Sequence, residues 1–231
     1  MIGFIMGAFG GGYTPPGGLP LTGRTLDVFG DSITFGVNTT SGNSWPEKLA
    51  AHFGMTLTNH AVSGTTMENQ DPIDVLASPN MQSRISEIPF YVEGASGLLG
   101  IAYLTNDVGL NYPDYNITNY AAAINVILDE AINVKGWPTA RIFFVFRYFV
   151  TAFGLDNGYG APTPADLPRY VSFNDTGITT VTARSVKAFD HWDTLSNVVN
   201  PVSHLDAYER HIDDYMHGLA ADAKIAYYES L

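Results

Sequence analysis

Three stretches of this chain are apolar almost without a break: TLDVFG at 25–30, GLLGIAYL at 97–104 and RIFFVFRYFV at 141–150. A strand with one face in water alternates apolar and polar residues, and these do not. Runs of this kind are strands buried on both faces, as in a parallel sheet covered by helices. MTLTNHAV at 55–62 and SVKAFDHW at 185–192 are further strand candidates. Helical patterns lie between them. SWPEKLAAHF at 44–53 has Ser44 as a cap and Pro46 in the first turn. In 116–134, Tyr120, Ala123, Ile124, Ile127, Ala131 and Ile132 share one side, and in 205–223 Leu205, Tyr208, Ile212, Tyr215 and Leu219 do the same. Strands alternating with helices predict an α/β fold around a parallel sheet. The 231 residues suit a Gly/Pro-rich N-terminal arm over 1–23 followed by a single domain over 24–231.

Composition narrows the function. The net charge is −12 and the pI about 4.6, with no basic run. Such a chain repels nucleic acid and anionic membrane, and a neutral substrate suits it better than a polyanion. Without cysteine there is no disulfide, thiolate nucleophile or zinc–thiolate site. The N-terminal MIGFIMGAFGGGY has no basic residue before Arg24 and is soon broken by glycines, so it makes no convincing signal peptide. No stretch has the length of a membrane span. The compartment and the oligomeric state are left open.

In open parallel sheets, ligands bind beyond the carboxyl ends of the strands. Ser32, Gly64 and Asn106 each follow a separate predicted strand. A serine hydroxyl becomes a useful nucleophile when a neighbouring base takes its proton. The negative charge that then builds on a substrate carbonyl needs preorganised N–H donors. Gly64 offers a backbone that a substrate can approach closely, and Asn106 offers a neutral amide donor. Each residue alone is equally well a turn former. Other motifs fail: Thr34 stands where a nucleophile elbow needs Gly, and there is no HExxH or P-loop. No cofactor or metal is expected. Residues 151–184, rich in Gly, Pro and aromatics, read as a long loop serving as a lid or as an insertion without a role.

GDSIT at 30–34, NHAVSG at 59–64, TND at 105–107 and a late His before a terminal helix together resemble the SGNH/GDSL hydrolase superfamily. The resemblance implies a three-layer α/β/α sandwich on a mainly parallel sheet of about five strands. It implies a serine esterase with Ser32 as nucleophile. The oxyanion hole would be formed by the Ser32 N–H, the Gly64 N–H and the Asn106 side chain.

The base is less direct. The family's last block places an Asp three residues before the His. His204 lies just before the predicted terminal helix, but Pro201 stands where that Asp should be. His217 does have Asp214 three residues before it, yet both fall inside the helical pattern, where such a pair is commonly solvated. We expect His204 as base, with Asp214 and His217 as the alternative pair. Asp193, Asp190 or Asn200 are candidates to orient His204, and a Ser32–His204 dyad is preferred to any named Asp. His52, His60 and His211 read as exposed or structural. The expected function is hydrolysis of a small-molecule or carbohydrate ester, such as a short-chain or O-acetyl ester. Aromatics at Phe153, Tyr159, Tyr170 and Phe173 are candidates to stack on it. Two alternatives stand beside it. One is an O-acyltransferase of the same fold. The other is a non-catalytic binding module, motivated by the missing acid and by Leu104 in place of the family's Gly.

Overall fold

The structure, a computed structural model, describes residues 19–68, 80–104, 106–107, 116–146, 167–191, 195, 201–204 and 211–231. Five strands form one all-parallel sheet: β1 Thr25–Gly30, β2 Thr56–Asn59, β3 Ser96–Ala102, β4 Ile142–Phe146 and β5 Lys187–Asp190. Their order is β2-β1-β3-β4-β5, so the direction of winding reverses beside β1. Among the described residues the helices are α1 Ser32–Phe35, α2 Trp45–Phe53, α3 Ile117–Asp129, α4 Leu167–Thr182 and α5 Asp214–Glu229.

The apolar runs explain the layers. Within a strand, side chains alternate between the two faces. Leu26, Val28, Leu98, Phe143 and Val145 therefore point to one side, where Trp45, Leu49 and Phe53 of α2 meet Met216, Ala220 and Tyr228 of α5. Phe29, Leu99, Ile101, Phe144 and Phe146 point to the other, against Tyr120, Ile124 and Ile127 of α3 and Phe173 and Val181 of α4. The result is the expected three-layer α/β/α sandwich. Residues 1–18 of the expected arm lie outside the described residues. Leu21 is buried in the core, and the Gly23 N–H donates to the Gly54 carbonyl at 2.9 Å.

Local signals set the boundaries. Glu47 reaches back to the Ser44 N–H at 3.0 Å and to its hydroxyl at 2.6 Å, so α2 starts where Ser44 predicts. Two expectations need correction. The terminal helix does not run from 205: it begins at Asp214, because the Asp213 carboxylate accepts the N–H groups of Tyr215 and Met216 and caps it. Its buried face is Met216, His217, Ala220, Ala221, Lys224 and Tyr228, whereas Tyr215 is 54% exposed. The other correction concerns 151–184, whose second half is helix α4. The four threonines and one glycine in α4 weaken its intrinsic helix signal, and packing overrides it. Phe173, expected as a loop aromatic, is 4% exposed and part of the core. Phe153 and Tyr159 lie outside the described residues, as does any lid over 151–166.

Gly177 is where α4 comes closest to the sheet. A Cβ there would lie 2.5 Å from Phe146 Cε1, on a ring already stacked against Phe144. Gly177→Ala would gain about 1 kcal/mol of helix propensity. The overpacking costs about 1–3 kcal/mol. We expect net destabilisation, read as a lower denaturation midpoint; a raised midpoint would refute this account of how α4 seats.

Candidate active site

The site is built where β1 ends. Gly30 closes the strand, and the absence of a side chain there makes room for Thr34, whose atoms would lie 2.4–2.8 Å from an added Cβ. Asp31 caps the short helix α1, its Oδ1 accepting the Ile33 N–H at 3.0 Å. Ser32 is thus the first helical residue, where backbone N–H groups have no partner within the helix. Gly36 ends α1 in the left-handed conformation, φ 97°.

The segment after β2 is stitched onto this turn. The Val62 N–H donates to the Gly30 carbonyl at 2.9 Å, and the Thr65 hydroxyl reaches the same carbonyl at 3.2 Å. Gly64, between them, has φ 80°, a conformation glycine adopts without strain. The Asn106 side-chain amide donates to the Thr65 carbonyl at 2.8 Å, which holds it beside Gly64. Asp107 accepts the Met67 N–H at 2.8 Å and joins the end of β3 to the same segment. Ser32, Gly64 and Asn106 are therefore brought into one neighbourhood by a continuous set of bonds. Leu104, where the family pattern has Gly, is buried with φ 159°, at the margin of the glycine-favouring region.

The structure brings a different histidine to Ser32. His211 Nε2 lies 2.9 Å from Ser32 Oγ. His204 instead places Nδ1 2.8 Å from Asp213 Oδ2, the carboxylate that caps α5. Its imidazole is engaged by the cap rather than by the nucleophile. His204 also faces Tyr215, with ring centroids 4.8 Å apart. The alternative pair is not assembled either. Asp214 accepts the Thr40 N–H at 2.8 Å and its hydroxyl at 2.6 Å. His217 is fully buried, and its Nδ1 accepts the Trp45 N–H at 3.1 Å, serving as a cap for α2. Burial, followed by nearby Lys224, pushes His217 down to about 3. A base so weak stays neutral and structural. Among the orienting candidates, Asp190 accepts from Asn174 at 2.9 Å, while Asp193 and Asn200 lie outside the described residues. The group that meets His204 is Asp213. The signal for His211 was present in the sequence: it is the last histidine before the Asp213 cap. Reading an apolar face from Leu205 onward hid the cap and with it the histidine.

The profile of the GDSL-like lipase/acylhydrolase family matches residues 28–218. The chain belongs to this family. It is accordingly an enzyme, an ester hydrolase of the GDSL type. Similar solved structures share its fold. One is a member of the lipolytic protein G-D-S-L family from Veillonella parvula, at TM-score 0.65 and 16% identity, covering 90% of this chain and 100% of that one. Another is the lipase/acylhydrolase from Enterococcus faecalis, at 0.61 and 13%, covering 90% and 96%. A third is a GDSL-like lipase from Bacteroides thetaiotaomicron, at 0.63 and 13%, covering 90% and 88%. The comparison with curated proteins gave no match. Among the described residues, no helix is long and apolar enough to cross a membrane.

Two acids lie buried at this GDSL site. Burial pushes Asp31 up to about 7, against the pull of its backbone hydrogen bonds. Burial likewise pushes Asp107 up to about 7, with the charges of Asp31 and Glu68 adding to the effect. An acid whose folded pKa is raised favours folding below its unfolded value, near 3.8, and that advantage is lost as pH rises through about 7. Asp107→Asn keeps the acceptor for Met67 but cannot ionise. Its melting temperature relative to wild type should therefore improve between about pH 5 and about pH 8.5. A difference that stays flat or worsens across that range would contradict the buried-acid account.

Proposed function

We propose that this enzyme hydrolyses carboxylic esters through an acyl-enzyme on Ser32, with His211 as the general base. The 2.9 Å contact between His211 Nε2 and Ser32 Oγ carries the reading. It is the geometry that lets an imidazole take the hydroxyl proton as Oγ attacks a carbonyl. The Oγ–carbonyl bond forms, the carbonyl π pair moves onto oxygen, and the proton passes to Nε2. The Ser32 N–H, the Gly64 N–H and the second amide hydrogen of Asn106 are the proposed donors to that oxyanion. Collapse expels the alcohol, which takes the proton from His211. Water then attacks the acyl-enzyme by the same route, His211 accepting its proton and returning it to Ser32 as the acid leaves.

For the substrate we propose a short acyl ester of a neutral alcohol or sugar. The charge of −12 opposes polyanionic ligands. Phe35, three residues after Ser32 at the end of α1, is 61% exposed and leaves an apolar ring available to an acyl chain.

Hydrolysis of p-nitrophenyl acetate tests the assignment. Ser32→Ala and His211→Ala should each lower kcat/KM by at least about 10³-fold. His204→Ala should fall by no more than about 30-fold, and His217→Ala should act mainly on stability. Full loss in His204→Ala together with survival of His211→Ala would overturn the choice of base.

A further inference from the structure

The imidazole of His211 sits in an irregular segment just before α5, and irregular backbone does not by itself fix a side chain to within an ångström. Among the described residues, two sets of contacts hold that segment. On one side, the Asn38 side-chain amide donates to the His211 carbonyl at 3.0 Å, across 173 residues of chain. Asn38 follows directly on the turn that closes the Ser32 helix, where the Val37 N–H donates to the Ser32 carbonyl at 3.0 Å. Its φ of 68° is left-handed, a conformation that asparagine tolerates better than most residues. Two residues on, Thr40 binds both oxygens of Asp214, the first residue of α5. On the other side, His204 and Asp213 are joined twice. The Asp213 N–H donates to the His204 carbonyl at 2.9 Å, and His204 Nδ1 meets Asp213 Oδ2 at 2.8 Å. Asp213 Oδ1 meanwhile accepts the Tyr215 and Met216 N–H groups. Both of its oxygens are occupied, one on the helix and one on His204.

Resting on the assignment of His211 as base, we infer that Asn38 and the His204–Asp213 pair are positioning residues that clamp His211 onto Ser32. Asn38 ties the base to the element that carries the nucleophile, so the two move together. His204 and Asp213 tie it to the start of α5. Asn38 meets His211 at its carbonyl and His204 meets Asp213, so both act on the distance and angle between Nε2 and Oγ. Misplacing a catalytic group by about 1 Å can cost up to about 100-fold in rate. The loss should appear in kcat rather than KM.

The test uses steady-state kinetics on p-nitrophenyl acetate with Asn38→Gly, His204→Ala and His204→Asn, each alone and in a His211→Ala background. Glycine accepts the left-handed backbone at residue 38, so Asn38→Gly removes the donor without backbone strain. Asn38→Gly and His204→Ala should each lower kcat by about 10-fold with KM within about twofold. His204→Asn, whose amide can donate where Nδ1 stood, should recover most of that loss. In the His211→Ala background, Asn38→Gly should have no further effect, since both act through the same imidazole. Wild-type kcat in Asn38→Gly and His204→Ala, with His211→Ala inactive, would overturn the clamp alone. So would equal losses with and without His211. Wild-type activity in His211→Ala would overturn the base assignment and the clamp with it.

Discussion

β1 is hydrogen-bonded on both sides, to β2 and to β3, and its end is the point on which the site depends. Because both neighbours are parallel to it, their carboxyl ends finish on the same edge of the sheet. That edge brings Gly30, the segment carrying Gly64, and Asn106 together. Its apolar side chains are sealed by a helical layer on each face. The short helix after Gly30 then presents Ser32 with little freedom to move.

The opposite half of the site is held differently. His211 belongs to no strand and lies just before Asp213, the residue that caps α5. It reaches Ser32 across 179 residues of chain, and polar contacts from Asn38, His204 and Asp213 stand in for the rigidity that the sheet gives to Ser32. Buried titratable groups surround this arrangement. Asp31 and Asp107 brace the turns under Ser32 and the Asn106 amide, while His217 and Lys224 are buried between α5, α2 and β5. Burial raises the acids and lowers the bases, so each is driven toward its neutral form, which lets these polar groups sit in a core.

Much of this was legible in the sequence. β1 matches its apolar run residue for residue, because Gly30 punctuates it, and α2 follows from Ser44 and Pro46. Ser32, Gly64 and Asn106 could be read because each follows a strand, and strand ends are the best-marked positions in such a chain. Helix α4 was hidden by its threonines and by Gly177, which are poor helix formers, and Gly177 is where a Cβ would meet Phe146 of β4. His211 was hidden by a false periodicity. Ile212 is buried and Tyr215 is exposed, so the two do not share a helical face, and the cap at Asp213 outranks the pattern that linked them. Capping is a local hydrogen-bond event and leaves a weaker trace in a sequence than a stripe of apolar residues.

The central claim is that His211 activates Ser32. It is tested most directly by reacting the folded protein with a fluorophosphonate and mapping the adduct by peptide mass spectrometry. The account predicts a single adduct on Ser32 that forms rapidly in wild type and in His217→Ala, and slower by orders of magnitude in His211→Ala. Absence of label on Ser32, or labelling at the wild-type rate without His211, would contradict it.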